Sequence, residues 1–340
     1  MAMPALTASG RRAPRIEARP MRCGARRSDR ITTVLAAASL IAWTNAVMLD
    51  GRADDPPTER AGGASGPGNG VAHIGDPETV FAAYGGVPFT HASDIRFEQA
   101  GSTDLTVHGV NWDGRPFKSP IYYGLRATRW SGSSPFGAML DFTHSKTISQ
   151  RAQQVRLTGN RNGRAAPETA RIEDTFKHLE FSHGHNMLTV NGVMRLGALS
   201  PRVTPYIGGG AGVNLPHTEI QFTGDDARTY EYQYAGPVGQ VLAGFEIRLP
   251  RISVFIEYKF TLARYEVPLS GRDSRGWGVA DFPTQLMAWW RGEKPRYGYA
   301  RTTLASHQII AGAGPRVART GLGGADLRGT GLGGAAPPSR

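Results

Sequence analysis

The sequence predicts an all-β chain: an eight-stranded antiparallel up-and-down outer-membrane β-barrel, with short periplasmic turns and long extracellular loops. Three observations carry that expectation. Eight stretches alternate apolar and polar residues with period two, charged residues fall in mid-strand on one face only, and the gaps between stretches alternate long and short. The 340 residues include 44 Gly and 23 Pro, which favours a turn-rich β-chain over a helical bundle.

The first element is a leader, residues 1–53. Basic "MRCGARRSDR" (21–30) precedes uncharged "ITTVLAAASLIAWTNAVML" (31–49), the layout of a secretory signal peptide with small-residue exits at Ala46 or Ala53. A single membrane anchor is the alternative, because the apolar run is long enough to span. The leader holds nine Arg and three acids, so 6 of the net +11 charge sits there and only 5 is left for the remainder. That balance argues against a nucleic-acid-binding surface. The sole cysteine, Cys23, also lies in the leader, so an exported product would have no disulfide, zinc–thiolate site or thiol nucleophile. Residues 54–77 read as a Pro/Gly-rich linker, 78–317 as the barrel, and 318–340, which repeats "TGLGGA", as a low-complexity disordered tail.

The strand-like stretches are 79–88, 119–130, 136–145, 186–197, 202–214, 234–249, 251–265 and 303–316. In the second, Ile121, Tyr123, Leu125 and Ala127 oppose Tyr122, Arg126 and Thr128. In the third, Phe136, Ala138, Leu140 and Phe142 oppose Met139, Asp141 and Thr143. In the fourth, Leu188, Val190, Met194 and Leu196 oppose Thr189, Asn191 and Arg195. In the sixth, Val241, Ala243, Phe245 and Ile247 oppose Gln240, Glu246 and Arg248. In the seventh, Ile252, Val254, Ile256, Tyr258, Phe260 and Leu262 oppose Ser253, Glu257, Lys259 and Thr261. A soluble sandwich would turn the charged face to water. In a membrane barrel the apolar face meets lipid, where a Lys or Arg at the midplane would cost about 2–4 kcal/mol, so the charges go inside. Lys259 and Arg248 would then pair with Glu246 and Glu257 from adjacent strands, and Arg126 with Asp141.

The connections favour the membrane reading. Long gaps (89–118, 146–185, 215–233, 266–302) alternate with "SGSSP" (131–135), "ALSP" (198–201) and Pro250. "YIGGGAGV" (206–213) precedes no helix pattern, so its glycines read as relief of crowding in a closed sheet, not as a phosphate loop.

Seven of the nine histidines, from His91 to His217, fall in the long loops or beside them, together with Asp113, Glu180 and Glu219. Imidazole plus carboxylate suits Zn²⁺ or Fe²⁺, and two His with one carboxylate leave positions open for oxygen chemistry. The densest cluster is "HLEFSHGHN" (178–186). If it is extended, His183 and His185 share one side and Glu180 takes the other, and Ser182 points away from His183, against a Ser–His nucleophile. Arg151, Arg156, Arg161, Arg164 and Arg171 make a basic loop set suited to lipopolysaccharide phosphates.

"NWDGRPFKSPIYYGLRATRW" (111–130), "LDFTHSK" (140–146), "HLEFSHGHNMLTVN" (178–191), "PYIGGGAGVNLPHTEI" (205–220) and "GPVGQVLAGFE" (236–246), in this order, resemble the outer-membrane lipid A oxidases of rhizobia and their relatives, small OmpA-like barrels. The resemblance implies oxidation of the proximal glucosamine of lipid A to 2-aminogluconate, with molecular oxygen as co-substrate and a divalent metal, Fe²⁺ being the ion that fits. It implies lipid A and the outer-membrane bilayer as partners. Residues within these motifs with suitable chemistry are His144, His178, Glu180 and His217 for catalysis, the same four with Glu219 for the metal, and Trp112, Asp113 and Arg126 for substrate. "FSHGHN" is also similar to the His-x-Ser-Asn of lipid A deacylases, but His185 stands where their serine would be. The alternative function is a non-enzymatic structural or adhesive barrel.

Overall fold

A computed structural model describes residues 77–318 except 100, 133, 274–281, 294 and 296. The leader, nearly all of the linker and nearly all of the tail lie outside the described residues. In chain order the strands and helices are β1 (Glu78–Thr90), β2 (Ser93–Gln99), β3 (Thr103–Val110), β4 (Trp112–Asp113), β5 (Tyr123–Trp130), β6 (Phe136–Ser149), β7 (Gln154–Arg161), β8 (Arg164–Ala165) and β9 (Thr169–Arg171). There follow α1 (Ile172–Thr175), β10 (Phe176–Arg195), β11 (Val203–Asn214), β12 (His217–Phe222), β13 (Thr229–Tyr232), β14 (Gly236–Arg248), β15 (Ile252–Pro268), α2 (Phe282–Arg291) and β16 (Tyr299–Ala318).

Eight strands close a ring in the order β1-β5-β6-β10-β11-β14-β15-β16, and β16 pairs back onto β1. All pairings within the ring are antiparallel and each ring strand neighbours the next ring strand along the chain, so the barrel is up-and-down. These eight are the eight stretches expected from the alternation. Among the described residues no helix is long and apolar enough to cross a membrane.

The ring is inside out relative to a soluble protein. Phe81, Leu125, Leu140, Val241, Ile256, Leu262 and Ile309 are exposed on its wall, while Arg126, Asp141, Arg195, Glu246, Glu257 and Lys259 are buried in its interior. This is the arrangement of a membrane β-barrel. The interior charges pair across the lumen, not with adjacent strands as expected for Lys259 and Arg248. Lys259 Nζ donates to Asp141 Oδ2 at 2.5 Å, from β15 to the opposite wall at β6. Arg126 is bidentate on Glu257 at 2.8 and 2.9 Å, Arg195 reaches Glu246 at 2.8 Å, and Arg248 reaches Glu78 at 3.0 Å. Register explains the change: across the β14–β15 ladder, Lys259 faces Leu242, Glu257 faces Gly244, Glu246 faces Phe255 and Arg248 faces Ser253. No opposite charge stands directly across, so the long side chains span the lumen instead. The expected Arg126–Asp141 contact does form, at 3.4 Å between direct cross-strand partners. A Cβ at Gly124 would overlap the Tyr84 ring at 1.9 Å, which shows how tightly the lumen is filled.

The long connections are folded. β2, β3 and β7 extend the sheet from β16, β12 and β13 extend it from β10, and together they enclose a second core containing Ile95, Phe97, Leu105, Leu157, Phe176 and Phe222. The ring strands therefore rise well past the apolar belt. On β6 the outward series runs Phe142, His144, Lys146; on β10 it runs Leu188, Asn186; on β15 it runs Leu262, Arg264. Those steps mark the upper edge of the belt. The helix α2, which the sequence reading did not anticipate, starts with Pro283 in its first turn, where a missing N–H costs nothing.

Candidate functional site

A cluster of ionisable side chains sits on the outside of the barrel wall, just above the belt, where β10, β12 and β13 lie side by side. Glu180 on β10 is the direct register partner of Glu219 on β12, which places two carboxylates opposite each other. Like charges so placed repel. His178 Nδ1 lies near both, 3.0 Å from Glu219 Oε1 and 3.5 Å from Glu180 Oε1. Arg228 Nη2 donates to Glu219 Oε1 at 2.5 Å, and its guanidinium lies over the Tyr230 ring at 4.2 Å. Glu219 is buried and is the hub of the group: Ser182 Oγ donates to its Oε2 at 3.4 Å, and His183 Nδ1 lies 3.9 Å from the same oxygen.

One ligand atom each from His178, Glu180 and Glu219 falls within 4.8 Å of the other two. Ligands held about 2.1 Å from a common ion are roughly 3.0–3.4 Å apart in ordinary coordination geometries, close to the two separations of His178 Nδ1 from the carboxylates. The donor set fits a divalent ion, and a bridging cation would relieve the facing carboxylates. It is one imidazole and two carboxylates, not the two imidazoles and one carboxylate expected. Such an oxygen-rich set suits Fe²⁺ or Mn²⁺ better than a thiolate-seeking metal.

His183 is the neighbour the sequence reading had placed away from Glu180. The regular extension assumed for 179–185 does not hold: the β6–β10 register shifts between Phe181 and His185, and Gly184 takes φ +149°. This bulge turns His183 to the carboxylate side and brings its Nδ1 to 3.2 Å from Ser182 Oγ. His185 goes the other way, buried in the upper core and hydrogen-bonded to the Tyr265 hydroxyl. Tyr230 Oη lies 3.4 Å from His183 Nε2.

His217 borders the cluster without joining it. Its ring packs 4.4 Å from Tyr230, 4.7 Å from Tyr232 and 5.0 Å from His183, and its Nδ1 has no hydrogen-bond partner. Burial, and then the neighbouring His183, push its pKa down to about 4, so it is neutral at pH 7. His144 stands lower, at the belt edge, stacked on Tyr123 at 4.7 Å with Nδ1 2.8 Å from Asn186 Oδ1. Below it, Phe81, Leu125, Ala127, Leu140, Phe142 and Leu188 line an apolar groove of about 460 Å³ on the lipid-facing wall.

Two expected substrate contacts lie away from the cluster. Arg126 is buried in the lumen on Glu257, and Trp112 is buried with its Nε1 donating to Ser93 Oγ and its ring 6.5 Å from Phe181. Both side chains are committed to partners within the protein. Asp113 is half-buried, accepts from Gln150 Nε2 at 2.8 Å and lies 3.4 Å from Arg115. Of the basic loop set, Arg161 and Arg171 have local carboxylate partners, Asp225 and Glu173, and Arg151 donates to the Lys177 carbonyl. The sequence reading missed Arg228 and Tyr230, which act only once β12 and β13 pair.

No protein-family model matches this sequence, and no curated protein matches it. Among solved structures, the chain is similar to Ail, the attachment invasion locus protein of Yersinia pestis, solved with the heparin analogue sucrose octasulfate. That match has 10% identity and TM-score 0.28, covering 71% of this chain and 99% of that one. It is similar to the N-terminal β-barrel domain of Pseudomonas aeruginosa OprF, with 8% identity and TM-score 0.25, covering 69% and 96%. The outer-membrane protease OmpT of Escherichia coli matches with 8% identity and TM-score 0.31, covering 73% and 100%. Likeness at this level carries no information about chemistry.

Proposed function

We propose that this chain is an enzyme of the bacterial outer membrane that oxidises the proximal glucosamine of lipid A to 2-aminogluconate, using molecular oxygen and a divalent metal. The observation that carries the reading is the position of the His178–Glu180–Glu219 cluster, on the outer wall at the edge of the apolar belt. A lipid headgroup lies at that height, and its acyl chains would occupy the groove lined by Leu125, Leu140, Phe142 and Leu188. The lumen is filled by cross-barrel ion pairs, so substrate reaches the cluster sideways from the bilayer.

His178, Glu180 and Glu219 would hold the metal, which when bound supplies a charge that orients the sugar oxygens and a route for electrons to dioxygen. The reaction removes the C1 hydrogen with its electron pair and the C1 hydroxyl proton. Dioxygen takes up both as hydrogen peroxide, and water opens the resulting lactone, a net gain of one oxygen. His183, exposed at the edge of the cluster and held by Ser182 and Tyr230, accepts the hydroxyl proton. Arg228 holds the Glu219 carboxylate in place and offsets its charge. Neutral His217 walls the site without contributing charge.

The test is mass spectrometry of lipid A from a host that lacks the activity and makes lipid A with a free C1 hydroxyl, grown in air with and without the gene. The expected result is one added oxygen on the proximal sugar, lost with Glu219→Gln. Unchanged lipid A from cells with correctly inserted barrel would refute the reading in favour of a structural or adhesive barrel.

A further inference from the structure

Beside the metal-ligand cluster lies a group of cations that the oxidation chemistry does not use. Lys146 follows His144 on the outward face of β6, and register sets it beside Glu180, which pairs with Ile148. Its side chain is buried, with 4% relative exposure, yet the only acceptor of its ammonium among the described residues is the carbonyl of Lys118, at 2.6 Å. An ammonium has three donors and is seldom buried without a counter-charge. Burial, then the charges of Arg115 and Lys118, pull the Lys146 pKa below its ordinary value, with Glu180 acting in the opposite direction. Against three cations the strap offers one carboxylate, Asp113, held at 3.4 Å by Arg115.

The strap that carries Arg115 and Lys118 has a second feature. Residues 114–122 lie against the wall at the belt edge, where a Cβ on Gly114 would meet Pro88 at 2.6 Å. Between the two cations and just after them, Phe117 is 82% exposed and Ile121 57% exposed. Large apolar side chains alternating with cations, at the height where wall residues change from apolar to polar, match the interface of a bilayer: rings enter the acyl layer and cations meet headgroup anions. Two independent observations, a buried ammonium with one hydrogen bond and an interfacial strap, converge on one place.

We propose that Lys146, Lys118 and Arg115 form an anion subsite that grips a phosphate or carboxylate of the substrate lipid's headgroup and so sets which sugar faces His178, Glu180 and Glu219. The identity of the lipid rests on the oxidase reading; the demand for an anion does not. The anion satisfies the remaining donors of Lys146 and closes the strap over the headgroup. Its source is either a phosphate ester or a uronic-acid carboxylate, since both offer oxygens to an ammonium and a guanidinium.

The experiment uses the full chain refolded in uncharged detergent, with binding measured by native mass spectrometry. The probes are lipid A with a phosphate on the distal sugar and a free C1 hydroxyl, the same lipid A with that phosphate removed, and a uronic-acid glycolipid of matched acyl length with a free C1 hydroxyl. The phosphorylated probe should bind about tenfold tighter than the phosphate-free one, the size expected for charge-assisted hydrogen bonds. The advantage should shrink as salt rises. Arg115→Gln with Lys118→Gln, both exposed and outside the packed wall, should abolish the advantage and leave the phosphate-free probe unaffected. Tight binding of the uronic-acid probe assigns a carboxylate source as well; weak binding restricts the subsite to phosphate. Equal binding of all three probes, or an advantage that survives the double substitution, overturns the subsite. A chain that binds by charge but leaves lipid A unoxidised refutes the oxidase reading alone, and oxidation without charge preference refutes the subsite alone.

Discussion

Lys259→Met tests the inside-out packing on which the lateral site depends. Lys259 is fully buried, and its ammonium donates to Asp141 Oδ2 at 2.5 Å, Tyr84 Oη at 3.0 Å and Thr143 Oγ1 at 3.1 Å. Removing it leaves Asp141 buried with Arg126 Nε at 3.4 Å, Gln240 Nε2 at 3.1 Å and the Tyr84 hydroxyl at 2.9 Å. Stripping one partner from a buried ion pair costs about 3–5 kcal/mol, and the surviving partners place this case near 3. Lys259→Met with Asp141→Asn removes both charges and should recover most of the loss. Were Lys259 on a solvated face, the single change would cost about 0–1 kcal/mol. The assay is reversible urea unfolding of the barrel in lipid vesicles, followed by tryptophan fluorescence with the slope checked for constancy. A single-variant loss under about 1 kcal/mol, or a double variant no better than the single, would refute the reasoning.

Other consequences follow from particular contacts. Glu180→Gln and Glu219→Gln should each weaken Fe²⁺ or Mn²⁺ binding by at least about 10-fold in calorimetry, whereas His144→Gln should not, because its ring is committed to Asn186 and Tyr123. His217, with a folded pKa of about 4 against about 6.5 unfolded, binds its proton more readily in the unfolded chain. Its contribution to the upper layer is therefore full above about pH 6.5 and is lost as pH falls towards 4; hydrogen exchange of β12 and β13 should rise over that range, and less so in His217→Gln. Ile256→Lys, on the lipid-facing wall, should cost about 2–4 kcal/mol in the same vesicle assay, while a similar change in a soluble sandwich would be tolerated.

The ring was legible because a membrane barrel writes its fold twice: in period-two alternation, and in charges such as Lys259 and Arg248 placed where a soluble core could not hold them. The upper layer was not. β2, β3 and β7 each turn only two or so apolar residues inward, Ile95 and Phe97, Leu105 and Val107, Val155 and Leu157, a signal too short to separate from loop until they pair. Within the site, His178, Glu180 and Glu219 could be named from the sequence, but their grouping could not. It depends on a register that sets Glu180 opposite Glu219 and on a bulge at Gly184 that reverses His183 and His185. Arg126 shows the converse: parity alone puts it on the face of Asp141, in the lumen, and a motif likeness is weaker evidence than that parity.

Why the candidate site sits on the wall follows from the size of the ring. Eight strands leave an interior that side chains fill, here with Arg126, Asp141, Arg195, Glu246, Glu257 and Lys259 satisfied across the lumen. No substrate can be taken in there without breaking those pairs. The strands nevertheless continue past the belt, and above Phe142 and Leu188 their outward positions are free to become polar. A side chain placed at that step meets lipid below and water above, the surroundings of a glycolipid headgroup. On the oxidase reading, a ring too narrow to admit a glycolipid presents these groups to the bilayer interface, and the substrate it would select is one already anchored in the membrane.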